Sequence, residues 1–237
     1  MKEKKELLLA IFILAALFCV KTFVEEMEKT SLSNENQNII QTYSDTKEDP
    51  LSRLKKGNEI YLDATYNKNI IDKDIRKKLN EEGQNPYAVI LTCSDSRVVP
   101  ENIFYTGLGE LFVVRVAGNV IDDTILGSIE YAISKLDVPL VVVMGHDNCG
   151  AVKGASEKNI NGKLETIVKK IKPSYEKAKL QGGSQEEIYN NAVKFNTENS
   201  MNLIKENEIV KKYIDEKKVK VTGANYDMET GLVKWLD

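Results

Sequence analysis

The chain has 237 residues, 33 Lys+Arg against 36 Asp+Glu, a formal charge of −3, three cysteines, one tryptophan and one histidine. That length is ample for the packed core of one ordinary domain with an extra arm, and 42% hydrophobic with 29% charged residues is a globular composition. The charge lacks the basic surplus of a nucleic-acid binder, three cysteines are too few for a small disulfide scaffold, and one histidine excludes a mechanism needing both a His metal ligand and a separate His base.

Lys2, Lys4 and Lys5 precede an uncharged apolar run, Leu7–Val20, which Lys21 closes. A basic start before a short apolar run has the form of an export signal, and a free-standing span needs about 20 apolar residues. Residues 1–24 therefore read as an export signal or a membrane anchor. This places the protein outside the cytoplasm, periplasmic or at the cell surface, with membrane association through residues 7–20. No small-x-small cleavage site follows, which keeps a retained anchor open. Phe18 stands where lipoprotein signals carry a small residue, which argues against lipidation at Cys19. Residues 25–49 read as a polar tether, rich in Ser, Asn, Gln and acidic side chains. Residues 50–237 read as the folded domain.

Leu51, Leu54, Ile60 and Tyr61 predict a first amphipathic helix, and Ile71–Glu82 a second. Tyr87–Thr92, Leu111–Val116 and Pro139–Met144 are short apolar runs with the look of buried parallel strands. Between the last two, Asp122–Leu136 places Ile125, Ile129, Ala132, Ile133 and Leu136 on one helical face behind an acidic start. A long helical region is predicted from Ile160 to about Asn207, with breaks near Pro173 and Gly182–Gly183. Val219–Val221 and Leu232–Leu236 read as closing strands around a turn at Asp227–Gly231. Strands alternating with helices predict an α/β domain whose mainly parallel sheet is flanked by helices.

Two strand ends carry chemistry. The first runs into Cys93-Ser94-Asp95-Ser96-Arg97 and the third into Gly145-His146-Asp147-Asn148-Cys149-Gly150. Functional sites of open α/β sheets lie beyond the carboxyl ends of the strands. His146 and Cys149 are close enough in sequence to reach one ion, and Cys93 would add a third soft ligand. Two thiolates and an imidazole suit Zn²⁺, one per chain, with a fourth position open for water or a carboxylate. Two blander readings stand beside this one: each cysteine as a small buried hydrophobe, or Cys93 and Cys149 as a disulfide. Asp95 and Arg97, at i and i+2, point the same way on an extended segment, and Arg forks well onto a carboxylate. Asp95 could close the fourth position or accept a proton beside the metal, and Arg97 would decide which by competing for it.

CSDSRVVPENIF, ELFVVRVAGNV, GSIEYAISKLDVPLVVVMGHDNCGAVKGA and VTGANYDMETGLV resemble the β-class carbonic anhydrases of the bacterial branch. The resemblance starts near Leu51 and runs to the C-terminus. It implies Cys93, His146 and Cys149 as zinc ligands, and leaves open whether Asp95 could be a fourth ligand in a closed state. Asp95–Arg97 would be the catalytic dyad. It also implies a parallel sheet with an antiparallel edge strand, and a homodimer or tetramer with an N-terminal helical arm laid over the partner. The reaction implied is reversible hydration of CO₂ to bicarbonate and a proton, by attack of zinc-bound hydroxide on CO₂. Asp95 would orient that hydroxide, and Arg97 would keep Asp95 ionised and off the metal. Gly150 and Ala151 would open a helix whose positive end favours a thiolate at Cys149.

Two positions depart from the family. Phe104–Gly109 lacks the Gln that many members carry before the Gly-Glu turn. Ile90 stands where members with a second, non-catalytic bicarbonate site have a Trp. With His146 used as a ligand, no imidazole remains to carry protons away, so proton release would use external buffer or water chains. Two other classes share this ligand set: a hydrolase of carbonyl sulfide or carbon disulfide, and a non-catalytic exported zinc- or bicarbonate-binding protein. An intact Asp95–Arg97 pair argues against the second.

Overall fold

Branched aliphatic residues dominate the short strands, and every residue of Ala88–Thr92 (β1) and Leu140–His146 (β3) is buried. Burial without alternation is what a parallel strand covered on both faces requires. The protein is described here from a computed structural model covering Lys21 and residues 49–63, 73–157 and 159–236. The apolar run at residues 7–20 and the tether up to residue 48 lie outside the described residues. No described helix is long and apolar enough to cross a membrane.

The sheet has five strands in the order β2-β1-β3-β4-β5. Leu111–Arg115 (β2), β1, β3 and Lys220–Tyr226 (β4) are parallel, and Val233–Leu236 (β5) joins β4 as an antiparallel edge. Side chains alternate across the sheet by parity. Val89, Leu91, Val141, Val143 and Val221 face one layer, where they meet Ile129 and Ile133 of Asp123–Lys135 (α4) and Ile204 of Gln185–Glu206 (α7). Ile90, Val142, Met144 and Ala224 face the other layer. There they meet Leu54 of Pro50–Asp63 (α1), Ile103 of the short helix Pro100–Ile103 (α3), and Phe104. Lys73–Glu82 (α2) lies between α1 and β1 in the chain.

The helix ends follow their capping residues. Asp122 caps α4 by accepting from Ile125 N at 2.9 Å. Ser184 and Glu187 form a reciprocal capping box at the start of α7. The break at Gly182 is present, with φ +75 ending Leu164–Gln181 (α6) in a left-handed turn. The break at Pro173 is not, because α6 runs straight through it. Pro173 is exposed, so the carbonyl left without its N–H partner lies on the wet side of the helix. The helical region also begins at Leu164 rather than Ile160 and does not stop at Asn207. That residue ends α7 and caps a further helix, Glu208–Asp215 (α8), accepting from Ile209 N and Val210 N. β4 extends to Tyr226, past the expected Val221, because Gly223 and Asn225 keep the ladder while breaking the apolar run.

Candidate metal centre

Thr92 at the end of β1 stands opposite Met144 of β3, and its hydroxyl donates to the Met144 carbonyl at 2.8 Å. β1 then stops and Cys93 leaves the sheet. β3 continues for two residues, because Gly145 and His146 remain paired with Asn225 and Tyr226 of β4. Cys93 and His146 therefore emerge at the same carboxyl edge. Asn148 turns the chain with φ +58, a conformation Asn tolerates better than most residues. Its side-chain oxygen accepts from Lys153 Nζ at 2.9 Å. The turn delivers Cys149 as the N-cap of Gly150–Gly154 (α5).

The structure brings the three sequence-predicted ligands together. The donor atoms of Cys93, His146 and Cys149 lie within 4.8 Å of one another, and all three residues are buried. The two cysteines are free, with sulfurs 3.9 Å apart, so the disulfide reading is set aside. Two Zn–S bonds of about 2.3 Å at a tetrahedral angle would place the sulfurs about 3.8 Å apart. His146 Nδ1 lies 2.9 Å from the Asp147 carbonyl, which can only accept, so the proton is on Nδ1. That leaves a lone pair on Nε2, which is buried with no hydrogen-bond partner among the described residues. An orphaned imidazole nitrogen beside two thiol sulfurs is a donor set for a soft divalent cation.

Electrostatics sharpen this picture. The hydrogen bond from Cys149 pulls the Cys93 thiol well down against its burial, helped by His146 and by the Gly118 amide, which donates to Cys93 Sγ at 3.3 Å. The same Cys93 contact, with burial, pushes Cys149 up, opposed by the Val152 and Ala151 amides of the first turn of α5. Burial lowers His146, but the adjoining Cys93 sulfur and its negative charge outweigh it and raise the imidazole overall.

Asp95 sits in a fork made by Arg97, with Nε to Oδ1 at 2.9 Å and Nη2 to Oδ2 at 2.8 Å. The Arg97 amide also donates to Oδ1. This fork, ahead of every other influence, holds the Asp95 carboxyl far below the usual carboxylate range. Asp95 Oδ2 is 3.9 Å from His146 Nε2, beside the donor cluster but in Arg97's grip. Cys93 and Cys149 pack in an apolar cluster with Val120, Val152, Ile171 and Val193.

Sequence reasoning passed over Arg115. It ends β2 opposite Thr92, and its guanidinium donates to the Cys93 carbonyl at 3.2 Å and the Asp95 carbonyl at 2.6 Å. It clamps the segment that carries both a candidate ligand and the dyad. An arginine closing the otherwise apolar LFVV was the available signal. Elsewhere, a cleft of about 740 Å³ opens at the amino end of the sheet, lined by Leu140, Lys205, Lys211, Lys218 and Lys220 among others. None of the site residues lines it.

The family model described as carbonic anhydrase matches residues 88–233. Over 126 residues the chain is 48% identical to carbonic anhydrase 2 of Mycobacterium tuberculosis, a match covering 51% of this chain and 60% of that protein. The carbonic anhydrase of Pseudomonas aeruginosa is 30% identical over 165 residues, covering 65% of this chain and 74% of that protein. A solved tetrameric β-carbonic anhydrase from Sordaria macrospora superposes with a TM-score of 0.66 at 28% identity, covering 70% of this chain and 87% of that one.

Proposed function

The chain belongs to the carbonic anhydrase family, and we propose that it catalyses the reversible hydration of carbon dioxide to bicarbonate and a proton, using one zinc ion held by Cys93, His146 and Cys149. The observation that carries this reading is the buried Cys-His-Cys cluster beside a carboxylate in an arginine fork. Bound there, zinc would supply a Lewis acid that lowers the pKa of water toward neutrality.

The chain's own residues do the rest. The Asp147 carbonyl fixes the His146 tautomer by accepting from Nδ1, which keeps Nε2 available as a donor atom. Arg97 keeps Asp95 ionised and engaged on both oxygens, so the carboxylate stays a hydrogen-bond acceptor beside the cluster and does not fill it. Because its pKa is so depressed, Asp95 is suited to orient a reacting group and poorly suited to store a proton. The apolar wall of Val120, Val152 and Ile171 suits a nonpolar gas. His146 is the only histidine, so the released proton passes to external buffer or water rather than to a second imidazole.

Two further elements belong to the same reading. Residues 1–24 serve as an export signal or anchor, a proposal that rests on their basic-then-apolar pattern. The domain acts as a homo-oligomer, supported by the tetrameric Sordaria relative. Stopped-flow CO₂ hydration by the full chain, with and without chelator, at neutral and at alkaline pH, tests the central claim. Activity that chelator removes and zinc restores is expected. No zinc-dependent rate at either pH would overturn it.

A further inference from the structure

Helix α7 turns a polar strip inward. Asn196, Thr197 and Ser200 are only 1%, 0% and 1% exposed, on a face that otherwise buries Ala192, Val193, Met201 and Ile204. Polar groups this deep persist when they are paired. Thr197 Oγ1 donates back to the Val193 carbonyl of its own helix at 3.0 Å. The other two reach out of the helix. Asn196 Nδ2 donates to the Gly118 carbonyl at 2.8 Å, and Ser200 Oγ donates to the Asn119 carbonyl at 2.8 Å.

Both bonds land on one short turn, the 3₁₀ segment Ala117–Asn119 that follows β2. Gly118 and Asn119 are consecutive left-handed residues, with φ +70 and φ +42. A chain does not keep that conformation without outside support. The turn is also closely packed: a Cβ on Gly118 would lie 2.6 Å from Ile171 Cδ1 and 3.1 Å from Ala151 Cβ. Held this way, the turn points the Gly118 amide at Cys93 Sγ, 3.3 Å away. The same helix face meets the other ligand-bearing strand, since a Cβ on Gly145 would clash with Thr197 Oγ1, one residue before His146.

We propose that Asn196, seconded by Ser200, is a positioning residue of the metal centre. It holds the Gly118–Asn119 turn so that the Gly118 amide hydrogen-bonds the Cys93 sulfur, and this tunes how strongly that thiolate donates to the ion. Two thiolates offset the charge of a divalent cation and blunt its Lewis acidity. An N–H bond to one sulfur withdraws part of that negative charge and restores some of the ion's acidifying power. Asn196 touches neither ion nor substrate in this scheme; it acts through Gly118.

The inference rests on the reading of Cys93, His146 and Cys149 as metal ligands, and the test separates the two. In the full-length protein loaded with ¹¹³Cd, NMR should show a coupling between the Gly118 amide proton and cadmium, transmitted through the N–H···S bond. In the Co²⁺-loaded protein, Asn196→Asp keeps the side-chain size but removes the donor. It should shift the sulfur-to-cobalt charge-transfer band and speed cobalt extraction by chelator about tenfold. Ser200→Ala should act in the same direction and less. Ile204→Val, a buried change on the same helix that contacts neither turn nor ligand, should leave band and extraction rate unchanged.

Cadmium bound by the parent protein without a Gly118 coupling would overturn the proposal while leaving the metal reading intact. So would Asn196→Asp behaving like Ile204→Val. If neither cadmium nor cobalt binds the parent, the metal reading falls and takes this inference with it. Should Asn196→Asp fail to fold, Ser200→Ala decides: a charge-transfer band and extraction rate equal to those of Ile204→Val would overturn the proposal, and a shift with faster extraction would support it.

Discussion

The two ends of the sheet handle polarity in opposite ways. At the amino end, Lys211, Lys217, Lys218 and Lys220 gather around a cleft, and every one of them is exposed. Their charge stays in water and asks nothing of the fold. At the carboxyl end, Cys93, His146 and Cys149 are buried, and nearby polar groups are tied off: His146 Nδ1 by Asp147, Asp95 by Arg97, the Cys93 and Asp95 carbonyls by Arg115. Among the described residues, His146 Nε2 is left there without a hydrogen-bond partner, beside the two cysteine sulfurs. Abundance of exposed charge therefore marks the quiet end, and a buried cluster of soft donor atoms marks the chemical one.

Substitutions can break that contrast, and the largest effect is expected at the proposed ligands. Cys149→Ser should bring bound metal and CO₂ hydration close to zero, read by metal analysis and stopped flow, while costing the fold about 1–3 kcal/mol for a hydroxyl in an apolar cluster. Asp95→Asn keeps the shape and removes the charge that Arg97 grips. It should lower the hydration rate about a hundredfold with metal content unchanged, and metal loss in step with activity would instead make Asp95 a ligand. Arg115→Met should release the Cys93–Asp95 segment and speed metal extraction by chelator about tenfold, leaving metal stoichiometry at saturation intact.

Two smaller effects probe the background. Lys234 holds Asp227 down to about 2, from an ordinary value of 3.8. A carboxyl depressed by folding stabilises above its unfolded pKa, and that contribution is lost as pH falls through the folded value. Lys234→Ala should therefore lower the urea midpoint at about pH 5, and the two proteins should converge toward about pH 2. At the quiet end, Lys211→Ala with Lys220→Ala should change unfolding free energy by no more than about 0.5 kcal/mol and leave the hydration rate alone. A loss of rate there would mean the two ends are coupled.

The candidate site was largely legible in the sequence because its parts are local. Cys93 and His146 follow apolar strand runs directly, Cys149 lies three residues beyond His146, and Asp95 meets Arg97 across two residues. The strand and helix order was legible for the same reason, since each run carries its own period. What escaped was long-range. Asn196 and Ser200 look like the wet face of a helix, and only the carbonyls of Gly118 and Asn119, far off in sequence, explain their burial. Arg115 lay inside the predicted strand Leu111–Val116, and only the loop it clamps shows what its guanidinium does. Pro173 misled because a helix breaker on a solvent face leaves little to repair.

The support for the Cys93 pocket carries a consequence for the order of folding. The bonds from Asn196 and Ser200 span 78 and 81 residues, whereas the three donor residues lie between 93 and 149. A chain emerging from its N-terminus presents all three donors well before α7 exists, and loop closure over such distances comes late. If the three residues hold a metal as proposed, the Asn196 and Ser200 support for that grip would form only once α7 docks. Pulse-labelled hydrogen exchange should find the Gly118 amide protected in the same kinetic phase as α7, and after the amides of β1 and β3.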